Sequence, residues 1–222
     1  MQRKWLPENL KANCVLFLDG SVSGTTAYDL SWNWNNGTLV NSPTTQRTQG
    51  YKGFVFNGTN TYISVTNSTS LNVWAWDFSV AFTLNLNTLA NYDAIINKYR
   101  SSPTNKWWTI TVWPSVSTAA YIFLYNSGSG WVVWTNSWYL EAGKTHRYII
   151  VRRWWFVDWY KDWVLFQTVT WNTVDTSSTY DLDVWDYWAT NSIDGKIINT
   201  LVYNKALSAT EAYQDYLSFF IP

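Results

Sequence analysis

The chain has 222 residues, 19% of them aromatic, and its 15 Lys and Arg balance 15 Asp and Glu. A neutral chain offers little electrostatic attraction to a phosphate backbone, which argues against a nucleic-acid partner, and the aromatic and β-branched content excludes intrinsic disorder. No apolar run approaches the ~18 residues that cross a bilayer, so no membrane partner is expected. One all-β domain, residues 1–222 with an N-terminal arm at 1–13, accommodates this length.

The N-terminal arm leads into a short apolar run, Val15 to Leu18, that ends at Asp19. This run is too short for the hydrophobic segment of a signal peptide. We therefore expect no signal peptide, and export by another route such as a virus particle. Cys14, the single cysteine, borders the run and is predicted to be a buried thiol.

Short apolar segments recur along the chain. In residues 78–86 apolar side chains occupy every second position, which predicts a half-buried strand. Further strands are predicted at 61–65, 94–98, 109–112, 120–125, 146–151, 164–169 and 193–203. Turn-forming sequences separate them, and helices do not alternate with them. This pattern predicts an all-β fold, an antiparallel β-sandwich or jelly roll.

One helix is predicted, at the C-terminus. Ser208 and Glu211 have the spacing of a capping box, in which each side chain satisfies the other residue's backbone N–H. Ala212, Tyr216 and Phe219 then form an apolar stripe at helical spacing. A surface turn is the alternative.

Several segments, in this order and spacing, resemble the laminin G-like jelly rolls of the concanavalin A-like lectin/glucanase superfamily. They are Phe56 to Val65, Asp77 to Phe82, His146 to Val151, Ile193-Asp-Gly-Lys-Ile197 and Leu201 to Glu211. The resemblance implies a concanavalin A-like sandwich with a short C-terminal helix. Residues 5–19 also resemble short jelly-roll proteins encoded among phage structural genes.

The 18 tryptophans are several times the number that a chain of this length normally carries. Against the same family pattern, five of them stand where glycine is expected: Trp32, Trp34, Trp76, Trp163 and Trp185. Turn glycines adopt positive φ with little strain, and a bulky residue there is an outlier. We predict that Trp32, Trp34, Trp163 and Trp185 lie in turns or at strand ends.

Two interpretations of the tryptophans compete. In the first, the chain is a Trp-rich glycan binder whose indoles stack on sugar rings. In the second, the gene comes from a lineage that reads the codon UGA as glycine. These positions then appear as tryptophan because the gene was translated with a code in which UGA specifies tryptophan.

The acidic residues do not suggest a catalytic pair. Glycoside hydrolysis needs two carboxylates across the scissile bond. Glu8 lies in the N-terminal arm, Glu141 in a turn and Glu211 in the capping box. Asp181 and Asp183 share a face if they are in a strand, but solvated strand-end carboxylates are the simpler interpretation.

His146 is the single histidine, and no serine or cysteine motif accompanies it. No catalytic residue is therefore assigned, and the chain is not expected to be an enzyme.

Two candidate sites follow. Relatives in the superfamily often hold a structural calcium ion, which implies a Ca²⁺ site in the loop of Asp29, Asn33, Asn35 and Asn36; a turn held by Asx hydrogen bonds is the alternative. A glycan platform is predicted in and beside the loop that joins two strands near residue 100, from aromatic and polar side chains. It consists of Tyr99, Arg100, Asn105, Trp107 and Trp108.

These observations predict a non-catalytic carbohydrate-recognition or structural module of a phage virion or surface assembly, located on the virion or extracellular surface. Surface glycans, other virion or surface proteins and further copies of the chain are the expected partners. A decoration protein without ligand and a degenerate glycoside hydrolase are the alternatives.

Overall fold

A computed structural model describes residues 6–48, 50–73, 77–88, 94–98, 107–112, 120–125, 140–170, 178, 180–184 and 193–220. In these ranges the chain forms two α-helices, α1 (Glu8–Lys11) and α2 (Ala209–Phe220), and sixteen strands. The strands are β1 (Cys14–Leu18), β2 (Val22–Ser23), β3 (Thr26–Ala27), β4 (Gly37–Val40), β5 (Thr44–Thr48), β6 (Tyr51–Asn57), β7 (Tyr62–Val65), β8 (Phe78–Leu86), β9 (Ala94–Lys98), β10 (Trp107–Val112), β11 (Ala120–Tyr125), β12 (Thr145–Arg153), β13 (Phe156–Lys161), β14 (Val164–Thr170), β15 (Leu182–Val184) and β16 (Asp194–Tyr203).

The strands form two sheets of eight. The first sheet has the order β14-β13-β12-β8-β16-β6-β5, with β1 added on β16; the second has the order β11-β10-β9-β15-β7-β4-β3-β2. Every pairing between these strands is antiparallel. The predicted fold, an antiparallel β-sandwich with a short C-terminal helix, is confirmed.

The main core lies between the sheets and follows the two-residue period of the strands. Val80, Phe82 and Leu84 of β8 contribute from the first sheet, and Ile63 and Val65 of β7 from the second. All five are buried. Because alternate side chains of a strand point to opposite faces, the residues that alternate with these core residues along each strand belong to the outer faces of the sandwich.

A second apolar layer covers the outer face of the first sheet. Leu10 of α1 and Ala212 of α2 pack with Ala81, Ile149 and Leu201 of the sheet. This layer explains why the prediction of a half-buried strand at 78–86 is wrong: the strand has these bounds, but both of its faces are covered.

The polar residues of β8 are accordingly held by hydrogen bonds. The Ser79 hydroxyl donates to the Lys205 carbonyl and accepts from the Leu207 amide, both at 2.9 Å. The serine thus satisfies two backbone groups of the segment that leads into α2.

The predicted helix and its cap are confirmed. The Glu211 carboxylate accepts from the Ser208 amide at 2.9 Å, and the Glu211 amide donates to the Ser208 hydroxyl at 3.3 Å. Ala212 and Phe219 are buried as predicted, whereas Tyr216 is only half-buried. The described helices include none that is long and apolar enough to cross a membrane.

Cys14 is buried at the start of β1, as predicted. Its thiol donates to the Leu16 carbonyl at 3.2 Å, and burial raises the pKa of the thiol well above its ordinary value. The thiolate, which is the reactive form, is therefore disfavoured.

Three of the four tryptophans predicted in turns are confirmed there. Trp32, Trp34 and Trp163 have φ angles of 71°, 60° and 67°, and their side chains are 65%, 81% and 49% exposed. Trp185 lies outside the described residues, as does Trp76.

Candidate functional site

The predicted glycan platform is described only at its C-terminal end. Tyr99, Arg100 and Asn105 lie outside the described residues. Trp107 and Trp108 do not belong to a loop, because β10 begins two residues earlier than predicted. Trp108 is 1% exposed.

The Trp108 ring lies 5.4 Å from that of Phe78, between the two sheets. A sugar ring cannot stack on this indole, so placing Trp108 in a surface platform is wrong.

The predicted calcium loop is held by its own hydrogen bonds. Asp29 Oδ1 accepts from the amides of Phe17 and Ser31 at 2.9 Å. Asp29 Oδ2 accepts from the Ser31 hydroxyl at 2.8 Å and the Asn35 amide at 2.9 Å. The carboxylate therefore receives four hydrogen bonds and ties the loop to β1.

The three asparagines of this loop are also engaged within the protein. Asn33 Nδ2 donates to the Cys14 carbonyl at 3.0 Å, and Asn35 Nδ2 to the Val15 carbonyl at 2.7 Å. Asn36 Oδ1 accepts from the Asp29 amide at 2.9 Å.

Ca²⁺ requires six to eight converging oxygens, whereas here N–H and O–H donors converge on Asp29. The loop does not fit a calcium site in this conformation and matches the alternative of a turn held by Asx hydrogen bonds. Among the described residues, no three His, Cys, Asp or Glu side chains are grouped to hold a metal.

The outer face of the second sheet carries the polar groups that the sequence analysis did not bring together. Leu182 and Val184 belong to the main core, so Asp183 between them is on the opposite face. In the strand register Asp183 stands opposite Asn97 of β9 on one side and Ser64 of β7 on the other.

The register extends this arrangement into a line across six strands. Ser64 is opposite Thr38 of β4, which is opposite Thr26 of β3, and Asn97 is opposite Thr109 of β10. We call this line the polar row; its members are Thr26, Thr38, Ser64, Asp183, Asn97 and Thr109.

The polar row becomes more buried from β4 towards β10. Thr38 is exposed and Ser64 half-buried, whereas Asp183, Asn97 and Thr109 are 9%, 3% and 1% exposed. The interpretation of Asp183 as a solvated strand-end carboxylate is therefore wrong, because the residue is the middle of β15. Its neighbour Asp181 accepts from the Asn67 amide at 2.8 Å and fixes the adjoining loop.

Lys98, which follows Asn97 in β9, is held by the segment between β7 and β8. Its side chain is fully buried, and Nζ donates to Asn67 Oδ1 at 2.8 Å and to the Leu71 carbonyl and Asn72 Oδ1 at 2.9 Å. All three ammonium hydrogens are used. Burial lowers the pKa of Lys98 to about 8, although the nearby Asp181 carboxylate opposes the shift. The lysine is thus a structural clamp.

A charged cluster forms elsewhere, at the rim of the first sheet. His146 lies between Asp162, at 2.6 Å from Nδ1, and Glu141, at 3.3 Å from Nε2. Hydrogen bonds from Lys144 and Lys161 lower the pKa of Glu141 to about 2. The cluster joins residues 141–146 to the end of β13 and the turn after it, which is why single motifs in the sequence did not indicate it.

An open groove of about 340 Å³ lies beside α1. Glu8, Lys11 and Ala12 form one wall and Ser31 and Trp32 the other. The Glu8 carboxylate and the Lys11 ammonium are 3.4 Å apart and neutralise each other, so the groove offers a ligand chiefly the Trp32 indole.

Neither a protein-family model nor a curated protein sequence matches this chain. Solved structures do match. The binding domain of Paraclostridial Mosquitocidal Protein 1 superposes with a TM-score of 0.76 and 16% identity, over 96% of this chain and 53% of the other. Domain 4 of AbnA, an extracellular GH43 arabinanase from Geobacillus stearothermophilus solved with arabinotriose, gives a TM-score of 0.75 and 15% identity, over 92% and 98% of the two chains.

Trypanosoma rangeli sialidase, in complex with sialic acid, gives a TM-score of 0.68 and 16% identity over 95% of this chain. The match spans only 33% of the sialidase, and about half of the mosquitocidal domain structure. At these identities the likeness establishes the shared β-sandwich fold.

Proposed function

We propose that this chain is a non-catalytic carbohydrate-recognition module that binds a neutral sugar on the outer face of the second sheet. The observation that carries the proposal is the register of β15, which sets Asp183 beside Asn97 and Ser64. Lectin-type sites orient a ligand with a few convergent polar groups of this kind.

The chemistry of the polar row matches adjacent sugar hydroxyls. A carboxylate accepts from hydroxyl groups, an asparagine amide both donates and accepts, and serine and threonine hydroxyls do either. Side chains directly opposite in neighbouring strands lie roughly 5 Å apart, so the spacing of Asp183 and Asn97 matches that of hydroxyls on one ring. The row contains one carboxylate and no cationic residue, which favours a neutral sugar over an acidic one.

The comparisons support a carbohydrate as the class of ligand. Domain 4 of the arabinanase was solved with arabinotriose, and this chain covers 98% of it. The mosquitocidal structure is described as a binding domain. Carbohydrate binding by the present chain is our inference from the shared fold together with the polar row.

The positions of the carboxylates favour binding over hydrolysis. Asp181 is held by the Asn67 amide, Glu141 by two lysines and Glu211 by the helix cap. A degenerate glycosidase and a ligand-free decoration protein remain the alternatives. It stays a prediction that the chain belongs to a phage particle or another surface assembly. Self-association of the chain in that assembly also stays a prediction.

A glycan array tests the proposal. The full chain is displayed in several copies, since multivalency raises the apparent affinity of weak sites. We expect binding to neutral oligosaccharides that falls at least about tenfold in Asp183→Asn, because a hydrogen bond to a charged group contributes ~1.5–3 kcal/mol.

Glu8→Gln is the matched control: it makes the same carboxylate-to-amide change on α1, under the first sheet. It should bind as the unchanged chain does. Absence of binding to every glycan by the folded chain would favour the decoration protein. Binding that Asp183→Asn leaves intact would place the site elsewhere.

A further inference from the structure

The turn between β13 and β14 has a backbone conformation that does not suit its sequence. It has two central residues, Asp162 and Trp163, with φ angles of 47° and 67°. Positive φ at both positions is typical of a type I′ turn, for which Asp-Gly is a preferred pair. Aspartate fits the first position, whereas tryptophan at the second is an outlier.

The loop before β4 repeats the mismatch. Trp32 and Trp34 have φ angles of 71° and 60°. Among the described residues, six other than glycine have positive φ, and three of these are tryptophan; the others are Asn41, Ser42 and Asp162. Asparagine and aspartate visit this region readily, but a bulky aromatic residue does so rarely.

Packing offsets little of the strain at Trp32 and Trp34 and only part of it at Trp163. Trp34 is 81% and Trp32 65% exposed, so most of each indole remains in water. Trp163 is half exposed and packs on α2, with its ring centroid 5.5 Å from that of Tyr213 and 6.4 Å from that of Tyr216. Since burial is what stabilises an indole, little apolar burial opposes the backbone strain at Trp32 and Trp34, whereas Trp163 is stabilised on one side.

Two buried tryptophans are independent evidence that tryptophan does not suit its positions in this fold. Trp108 and Trp159 are almost fully buried, and neither Nε1 has a hydrogen-bond acceptor among the described residues. A buried indole N–H normally has a partner. Trp159 also borders a register shift in the pairing of β13 with β14, and glycine within a strand often marks such a bulge.

We infer that the residue belonging at positions 32, 34 and 163 of the functional protein is glycine, and that the host of this gene reads the corresponding codon as glycine. The sugar site proposed above contains no tryptophan, so the two proposals stand or fall separately. Selected, strained indoles that stack on a ligand are the competing explanation, because strain is also stored at binding sites.

Chemical denaturation of the full chain separates the two explanations. Trp163→Gly should raise the folding equilibrium constant roughly 5- to 30-fold, since the strain at positive φ is relieved. Trp163→Ala shortens the side chain but keeps the Cβ atom, so the strain at positive φ remains and this gain should not appear. Trp154→Gly is the matched control. Trp154 is 42% exposed and is not among the residues with positive φ, so this change should leave stability unchanged or lower it.

A Trp163→Gly variant that is no more stable than the unchanged chain would overturn the inference. The direct readout is peptide mass spectrometry of the protein purified from the organism that carries the gene. Glycine at position 163 is the expected result, and tryptophan at all three positions contradicts it.

Discussion

Arg147 and Asp215 form an ion pair from which solvent is fully excluded, with 2.5 Å between Nε and Oδ2. Arg147 belongs to β12 and Asp215 to α2, so the pair fastens the helix to the first sheet. Tyr203 donates its hydroxyl to Asp215 Oδ1 at 2.6 Å, and Arg147 Nη1 donates to the Thr83 hydroxyl at 2.9 Å.

Removing one partner of this pair should be strongly destabilising. We expect Asp215→Ala to lower the free energy of unfolding by about 3–5 kcal/mol, because the guanidinium is left buried without its counter-charge. Tyr203→Phe removes only one hydrogen bond and should lower it by about 1–2 kcal/mol. Urea denaturation measures both. Equal, small effects of the two changes would show that the pair contributes little.

Lys98 makes stability depend on alkaline pH. Its pKa in the folded chain, about 8, is below the ordinary value of 10.5. Between these values the unfolded chain binds a proton that the folded chain does not, so the free energy of unfolding rises with pH. We expect a rise of about 1–2 kcal/mol from pH 7.5 to 9.5.

Lys98→Met should abolish this rise, and it should also destabilise the chain at pH 7, because three acceptors lose their donor. Denaturation curves across the pH range test this expectation. A variant with the same alkaline slope as the unchanged chain contradicts it.

Glu141 makes stability depend on pH in the acidic range, and here too the free energy of unfolding rises with pH. Lys144 and Lys161 hold its pKa at about 2, below the ordinary 4.5. The stabilising contribution is therefore present above pH 4.5 and lost as the pH falls to 2. Glu141→Gln should show a shallower fall in thermal midpoint over this window. If the thermal midpoints of the two proteins fall in parallel with pH, the Glu141 carboxylate has no role in this pH dependence.

The loop at Asp29 should behave as a turn and not as a metal site. Asp29→Ala removes the acceptor of four hydrogen bonds, and we expect a loss of about 3 kcal/mol. Calcium chloride and a chelator should each leave the thermal midpoint of the unchanged chain where it is. A midpoint that rises with calcium would show that the ion binds the folded state.

Local sequence patterns predicted local features, namely strands and the cap of the C-terminal helix. The strands at 78–86, 94–98 and 120–125 have the predicted bounds, and the Ser208 cap forms as predicted. The same periodicity misjudged β8 as half-buried, because the layer on its second face comes from distant segments.

The candidate site depends on register, which no local pattern specifies. Asp183 and Asn97 are 86 positions apart, and they become neighbours only through the pairing of β15 with β9. Arg147 and Asp215, 68 positions apart, meet in the same way through the docking of α2. The hydrogen bonds of the Asp29 loop could not be predicted either, since the order of residues there indicates oxygen atoms but not where the N–H and O–H donors point.

Amide chemical shifts of the labelled full chain, titrated with the neutral oligosaccharide that binds best on the array, test the central claim most directly. We predict that the largest changes fall on Ser64, Asn97 and Asp183, with α2 unaffected. Changes that cluster instead at Trp32 and Trp34, beside the groove at α1, would contradict the proposed site.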